Sequence, residues 1–245
     1  MIIISWLICD TRGASPAFKV EIIKEVTYRY MITDVDSLRI VRLNEKGERI
    51  RTFSGLGDYY EKLGIDYSAA MNGGIFEPDR NPTGLLIQNK KELSPLNLKE
   101  GYGNFYLKPN GVFYLTKNKA GVIDSKDYRK QVEDEGDVIY ATQSGPLLLS
   151  GGRIHSKFKK GSKSQKLRNG VGILSDGRII IAISNNDSKR QPNLYEFASF
   201  FLSKGCKDAL YLDGTISEFR EKGDTGRERH DFSSFLVIEK KKNNR

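Results

Sequence analysis

RNGVGILSDGRIIIAI, residues 168–183, decides the fold. Val171–Leu174 and Arg178–Ile183 are runs of apolar, mostly β-branched residues with Asp176-Gly177 between them. Asp-Gly flanked by such runs is a strong short-range hairpin signal, so the two runs read as antiparallel neighbours. Similar runs lie on either side. Upstream, Lys19–Val35, Leu38–Leu43, Tyr67–Met71, Leu85–Gln88 (closed by a turn at Asn89-Lys90), Val138–Thr142 and Leu147–Leu149 read as strands. Phe105–Leu107 and Val112–Leu115 flank Pro109-Asn110-Gly111, which predicts a second hairpin. Downstream, Ala209–Leu212 and Phe235–Ile238 are further strands.

Helical spacing is confined to two places. Leu56, Tyr59, Tyr60 and Leu63 precede Gly64, and Leu194, Phe197, Ala198, Phe201 and Leu202 precede Gly205, so each apolar stripe ends at a stop signal. Strands that outnumber helices and are joined by short turns predict an α+β fold. The expected form is a single domain with a mainly antiparallel mixed sheet and a few flanking helices. The expected boundaries are 19–239 for the domain and 240–245 for a basic tail. Residues 1–18 read either as the remnant of a leader or as an N-terminal strand.

Composition excludes several classes. The 245 residues are 38% hydrophobic and 29% charged, as in a globular protein. A chain of this size buries roughly 70–75% of its unfolded surface, so it needs no metal or disulfide scaffold. Its two cysteines, Cys9 and Cys206, form no zinc pattern, and its two histidines, His155 and His230, make a multi-histidine metal site untenable. The apolar start, Met1–Cys9, is too short to span a bilayer. The net charge of +9 is local: seven basic residues and no acid lie between Gly151 and Arg168, and Lys240, Lys241, Lys242 and Arg245 form the tail. The basic stretch reads either as an anion site or as a solvated loop. Nucleic acid ranks last among partners, because Phe158 is the one aromatic within that stretch and stacking platforms are wanting.

Familiar phosphate motifs fail. Gly55-Leu56-Gly57 and Gly101-Tyr102-Gly103 lack the third glycine of a dinucleotide fingerprint, and no Walker loop or Gly-x-Ser-x-Gly elbow is present. What stands out is a set of polar residues coupled to glycine at the ends of apolar strands: Asn72-Gly73-Gly74-Ile75-Phe76, Gln143-Ser144-Gly145-Pro146, Arg168-Asn169-Gly170-Val171-Gly172 and Leu212-Asp213-Gly214-Thr215-Ile216-Ser217. Glycine lets a ligand approach backbone amides, a guanidinium holds phosphate, and Asp moves a proton. Each segment alone is a common turn composition.

In combination and order, these segments resemble the phosphodiester glycosidase family, over about Tyr28–Ile238. The lysosomal member of that family removes N-acetylglucosamine from a mannose-6-phosphate phosphodiester. The segment Asn97–Leu115, including Gly103–Gly111, resembles the family's bacterial exported branch. The resemblance implies a hydrolase cleaving a sugar from a glycosyl phosphodiester, and a periplasmic or cell-envelope location. Carried onto this chain, it makes Asp213 an acid/base or nucleophile and Arg168 the phosphate holder. Asn72, Gly73, Gly74, Phe76, Gln143, Ser144, Gly145, Asn169, Gly214 and Ser217 become substrate-binding candidates. Thr215 departs from the family, which has a second glycine there; a Cβ resists positive φ, so the backbone after Asp213 is expected to differ.

Most glycosidases use two carboxylates. The motifs supply one, and Glu77, Asp79, Asp187 and Glu218 are candidates for another. His155 is a secondary candidate for proton transfer, against an ordinary place in a surface turn. No cofactor is required. Asp213 with amide oxygens is a donor set that a hard divalent cation accepts, although nothing in the spacing demands one. The competing reading is a module that binds a glycan or glycosyl phosphate without cleaving it.

Overall fold

A computed structural model describes residues 18–132 and 137–241. The 168–183 hairpin is present, with Asn169–Leu174 paired antiparallel to Ile179–Ser184. It lies at the centre of a seven-stranded sheet whose spatial order is Lys19–Ile23, Val26–Thr33, Ile179–Ser184, Asn169–Leu174, Cys206–Asp213, Leu147–Ser150 and Arg153–Ile154. Two more sheets complete the fold. One is four-stranded, ordered Phe219–Glu221, Tyr67–Asn72, Phe235–Glu239, Leu38–Val41. The other is five-stranded, ordered Lys91–Ser94, Leu86–Gln88, Tyr140–Ser144, Gly111–Leu115, Ala120–Asp124. Every strand pairing among the described residues is antiparallel. The α+β class therefore stands, with three sheets sharing the strands.

Strand alternation explains how the sheets pack. One face of each turns to a common core: Val171, Ile181, Leu210 and Leu212 from the first, Met71 and Leu236 from the second, Leu86 and Phe113 from the third. The opposite faces carry helices. Helix α1 (Phe53–Leu63) covers Ala70, Phe235 and Val237 of the four-stranded sheet. Helix α2 (Ser125–Gln131) sets Tyr128 against Val112 and Ala141 of the five-stranded sheet. Helix α3 (Leu194–Ser203) presses Phe197, Phe200 and Phe201 on the seven-stranded sheet. Central strands are thus buried on both faces, which is why they read as unbroken apolar runs.

Both sequence-predicted helices end where expected. Gly64 caps α1 in the left-handed region at φ 63°. At the start of α3, Asn193 and Glu196 form a reciprocal capping box. Gly170 and Gly172 serve packing. A Cβ on Gly172 would lie 2.7 Å from the Phe201 ring, so these glycines let α3 approach the strand.

The Asn110-Gly111 hairpin does not form. Asn104–Tyr106 is a 3-10 turn, and Gly111–Leu115 pairs instead with Ala120–Asp124 and Tyr140–Ser144. Asn110 is fully buried and its amide donates to Phe105 O at 2.8 Å, so it ties the chain inward. The leader-or-strand reading of 1–18 falls, but for Phe18, outside the described residues, as does 242–245 of the tail. Lys240 and Lys241, which are described, pair with Asp66 and with Asp34 and Asp36.

Candidate functional site

Three sheets meet at one end of the core, and the polar segments meet there too. Asn72 ends a strand of the four-stranded sheet, Ser144 ends one of the five-stranded sheet, and Asn169 and Asp213 are register partners in the seven-stranded sheet. Their side chains close a network. Asn169 Nδ2 donates to Asn72 O at 2.9 Å and Asn72 Oδ1 at 3.0 Å. Asn169 Oδ1 accepts the Asp213 amide at 2.7 Å. Asn72 Nδ2 donates to Asp213 Oδ2 at 3.1 Å, and Gly214 N donates to Asp213 Oδ1 at 2.7 Å. Ser144 Oγ donates to Leu212 O at 2.7 Å and accepts from Ile75 N at 3.3 Å.

Asp213 is half-buried, and no cation pairs with it among the described residues. Burial pushes its carboxyl up to about 6, against the Gly214 amide, which acts to lower it. A carboxyl poised near neutrality in a hydrogen-bonded, partly open place is suited to proton transfer or attack. The amide oxygens that a divalent cation would require are already engaged. Asn72 Oδ1 accepts from Asn169 and from Glu218 N, and Asn169 Oδ1 accepts from Asp213 N.

Arg168 follows a different course. Adjacent residues of an extended segment point to opposite sides. Asn169 therefore faces the network, and the Arg168 side chain goes the other way, over the Tyr211 ring with Cζ 5.6 Å from its centroid. It is 1% exposed. Nε donates to Pro192 O at 3.0 Å and Nη2 to Ser164 O at 2.8 Å, and the guanidinium also interacts directly with the Tyr211 hydroxyl. It lines a small cavity of about 160 Å³ with Lys157, Lys159, Ser162 and Ser164. Tyr211 bridges the two places: its hydroxyl accepts from Asn104 Nδ2 at 3.3 Å and lies 2.5 Å from where a Cβ on Gly214 would be. Burial holds that phenol up at about 12. Tyr211 and Asn104 are candidates that the motif reading missed; the signal was Tyr211's period-two relation to Asp213.

Other expected ligand-binding groups are engaged in holding the structure. Gln143 Oε1 accepts Leu85 N and Asn97 N, and Nε2 donates to Asn97 O, so its amide pins two loops. Gly73 N already donates to Ser234 O at 2.8 Å. Gly74 and Gly145 sit close against neighbours: a Cβ on Gly74 would lie 3.1 Å from Ser144, and one on Gly145 would clash with Asn110 at 2.5 Å. Phe76 is half-buried under the Arg80 guanidinium, 5.2 Å away. Ser217 closes the turn by donating N–H to Gly214 O at 2.7 Å, and its Oγ is buried without a partner. Thr215 has no positive φ and is exposed, so the turn after Asp213 carries the substitution without strain.

Among the candidate second carboxylates, Glu218 is joined to the network. Its N–H goes to Asn72 Oδ1, and its carboxylate takes Arg220 Nε at 2.8 Å and Nη2 at 2.5 Å. Asp79 is turned to Asn81, and neither Glu77 nor Asp187 bonds to the network through its side chain. His155 is 8% exposed and stacked on Phe158. Burial pulls its pKa down, so the ring is neutral, with Nε2 donating to Lys108 O at 3.2 Å and Nδ1 accepting Lys157 N. Both nitrogens are occupied in a structural role.

The sequence pattern of phosphodiester glycosidases matches residues 66–220, which contain every one of these segments. The chain belongs to the phosphodiester glycosidase family. It is 36% identical over 174 residues to the uncharacterized protein YigE of Escherichia coli (strain K12), covering 70% of this chain and 65% of that relative's length. Its fold is similar to the zebrafish N-acetylglucosamine-1-phosphodiester alpha-N-acetylglucosaminidase catalytic domain auto-inhibited by its pro-peptide. That likeness has a TM-score of 0.62 at 16% identity, covering 93% of this chain and 83% of the other. A hypothetical protein from Synechocystis gives a TM-score of 0.58 at 15% identity, over 92% of this chain and 62% of that one. At such identities the two structures speak to the fold alone. No helix among the described residues is long and apolar enough to cross a membrane.

Proposed function

We propose that this protein hydrolyses a glycosyl phosphodiester, releasing the sugar from its phosphate. The observation that carries the reading is the Asp213 carboxyl, raised to about 6 and aimed by Asn72 and Gly214 at the junction of three sheets. In the ionised form Asp213 takes the proton of a water that attacks the anomeric carbon, or attacks that carbon itself to form a glycosyl ester that water then hydrolyses. The bond from that carbon to the phosphate oxygen breaks, and its electron pair leaves with the phosphate. Such a leaving group departs without protonation, which fits a network with one uncommitted carboxylate. Asn72 and Asn169 fix the acid, and Tyr211 and Asn104 face the departing group.

Arg168 supplies phosphate recognition: its guanidinium gives Nε and Nη2 to backbone carbonyls and meets no carboxylate among the described residues, so its charge is left for an anion in the small cavity it lines. This reading, like export to the cell envelope, agrees with the family. The test is release of sugar from a panel of sugar-1-phosphodiesters, with Asp213→Asn and Arg168→Ala alongside. Turnover lost in both supports it, and full turnover in Asp213→Asn overturns it. Binding without any release, dependent on Arg168, would make the protein a glycosyl-phosphate binding module.

A further inference from the structure

Beyond the Asp213–Gly214 turn opens a cleft of about 320 Å³, lined by Arg29, Thr215, Arg220, Arg227, Arg229 and His230 among others. The four arginines are not alike. Arg220 is 8% exposed and fully engaged, by the Glu218 carboxylate, by Gly226 O at 2.7 Å and by Arg227 O at 2.9 Å. It thereby pins the 222–231 segment beside the turn. Arg29 stacks on Phe18 and reaches Glu221 at 3.9 Å. The Arg227 and Arg229 side chains have no hydrogen bond or ion pair among the described residues. Glu228, between them, points elsewhere and accepts Ser54 N at 2.8 Å. Asp224, also in the cleft wall, accepts Gly226 N. Two guanidinium groups without a hydrogen-bond or ion-pair partner thus line the cleft, alongside a single Asp224 carboxylate that no cation pairs among the described residues, and the Thr215–Ser217 turn that follows Asp213 forms part of the same wall.

This cleft is separate from the Arg168 cavity. Leu167 lines the former and Arg168 the latter, as neighbours in an extended segment must. One anionic group cannot occupy both. Resting on the hydrolase reading above, we infer that the substrate carries two anionic groups: the scissile phosphodiester, and a second phosphate on the leaving group that docks between Arg227 and Arg229. The chemical class is a glycosyl phosphodiester whose aglycone is itself phosphorylated, as one repeat of a phosphodiester-linked chain is. Guanidinium forks suit phosphate, and an open cleft suits a continuing chain.

The experiment compares two substrates with the same sugar, one with a methyl aglycone and one with a phosphoglyceryl aglycone, in the wild type, in Arg227→Ala/Arg229→Ala and in Lys157→Ala/Lys159→Ala. Wild type is expected to prefer the phosphorylated aglycone about tenfold in kcat/KM, falling to parity in the double arginine variant and persisting in the double lysine variant. Calorimetry with inorganic tripolyphosphate reads the same site without turnover, and its affinity should fall about tenfold in the arginine variant. A preference or affinity unchanged there, or lost in the lysine variant instead, overturns the inference. So does failure of the wild type to bind tripolyphosphate. Absence of release from both substrates, with arginine-dependent binding intact, sinks the hydrolase reading and leaves the anion cleft standing.

Discussion

Arg42 and Arg168 are both buried arginines without a carboxylate, and they have opposite fates. Arg42, 5% exposed, gives Nη1 to Arg80 O, Ser233 O and Ser233 Oγ at 2.8–2.9 Å, and Nη2 to Asn81 Oδ1 at 3.0 Å. It cross-links the 80–81 loop to the segment entering the Phe235–Glu239 strand. Burial draws its pKa down to about 10, yet both terminal nitrogens have acceptors. Arg168 is buried more completely, gives two nitrogens to backbone carbonyls and sets its guanidinium against Tyr211 in the wall of a small cavity. Burial alone does not separate the two arginines; the acceptors each one finds, and the cavity beside one of them, do.

The sharpest way to break that contrast is to remove each side chain. Arg168→Met is expected to lower turnover of a glycosyl phosphodiester at least a hundredfold, the usual scale for losing a donor to developing charge, and to cost about 2–3 kcal/mol of stability by leaving the Pro192 and Ser164 carbonyls without donors. Single-turnover kinetics beside urea unfolding would check it. Arg42→Met should cost stability alone. It leaves the Ser233 and Arg80 carbonyls without donors and is expected to cost about 3 kcal/mol of stability, with the folded fraction still active. Equal losses of turnover in the two variants would erase the distinction.

Asp213 gives the next largest effect, through pH. Its folded pKa of about 6 lies above the ordinary carboxylate value of 3.8. As base or nucleophile it works ionised, so kcat should rise through about pH 6 and level off above. For stability the sign is opposite. The protonated form is the better folded one, so this group's contribution is full below pH 3.8 and is lost as pH rises through about 6, by on the order of 3 kcal/mol. Asp213→Asn should remove that loss. A rate that falls through pH 6 would make Asp213 the acid instead.

Smaller effects test the glycines. Gly172→Ala would drive a Cβ against Phe201 and is expected to cost about 1–3 kcal/mol by displacing α3. Thr215→Gly should cost about 0.5 kcal/mol, through added chain entropy at an exposed position with ordinary φ. A gain in stability would show that the turn wants glycine after all.

The hairpin of 169–184, the helix ends at Gly64 and Gly205, and the gathering of Asn72, Ser144, Asn169 and Asp213 were all legible, because each depends on local pattern or on resemblance. Three things were not. The turn between Lys19–Ile23 and Val26–Thr33 is Lys24-Glu25, both at positive φ without glycine, so no punctuation announced it. Helix α2 is a short polar segment that tertiary contact through Tyr128 holds in place. The basic 151–168 stretch drew attention by its charge density. Yet it is the exposed 227–230 segment, near the candidate acid's turn, that supplies the arginine cleft. Charge counts along a chain do not say which carboxylates fold back onto which arginines.

Asn72, Asn169 and Ser144 each come from a different sheet, and together they hold the segment that carries Asp213. The acid is therefore a keystone. A chain nicked or shortened so that any one sheet detaches keeps much of its strand content but loses the geometry around that carboxyl. Turnover then becomes a stricter measure of complete folding than circular dichroism. The carbonyl chemical shift of a labelled Asp213 would register slippage between sheets before any of them melts.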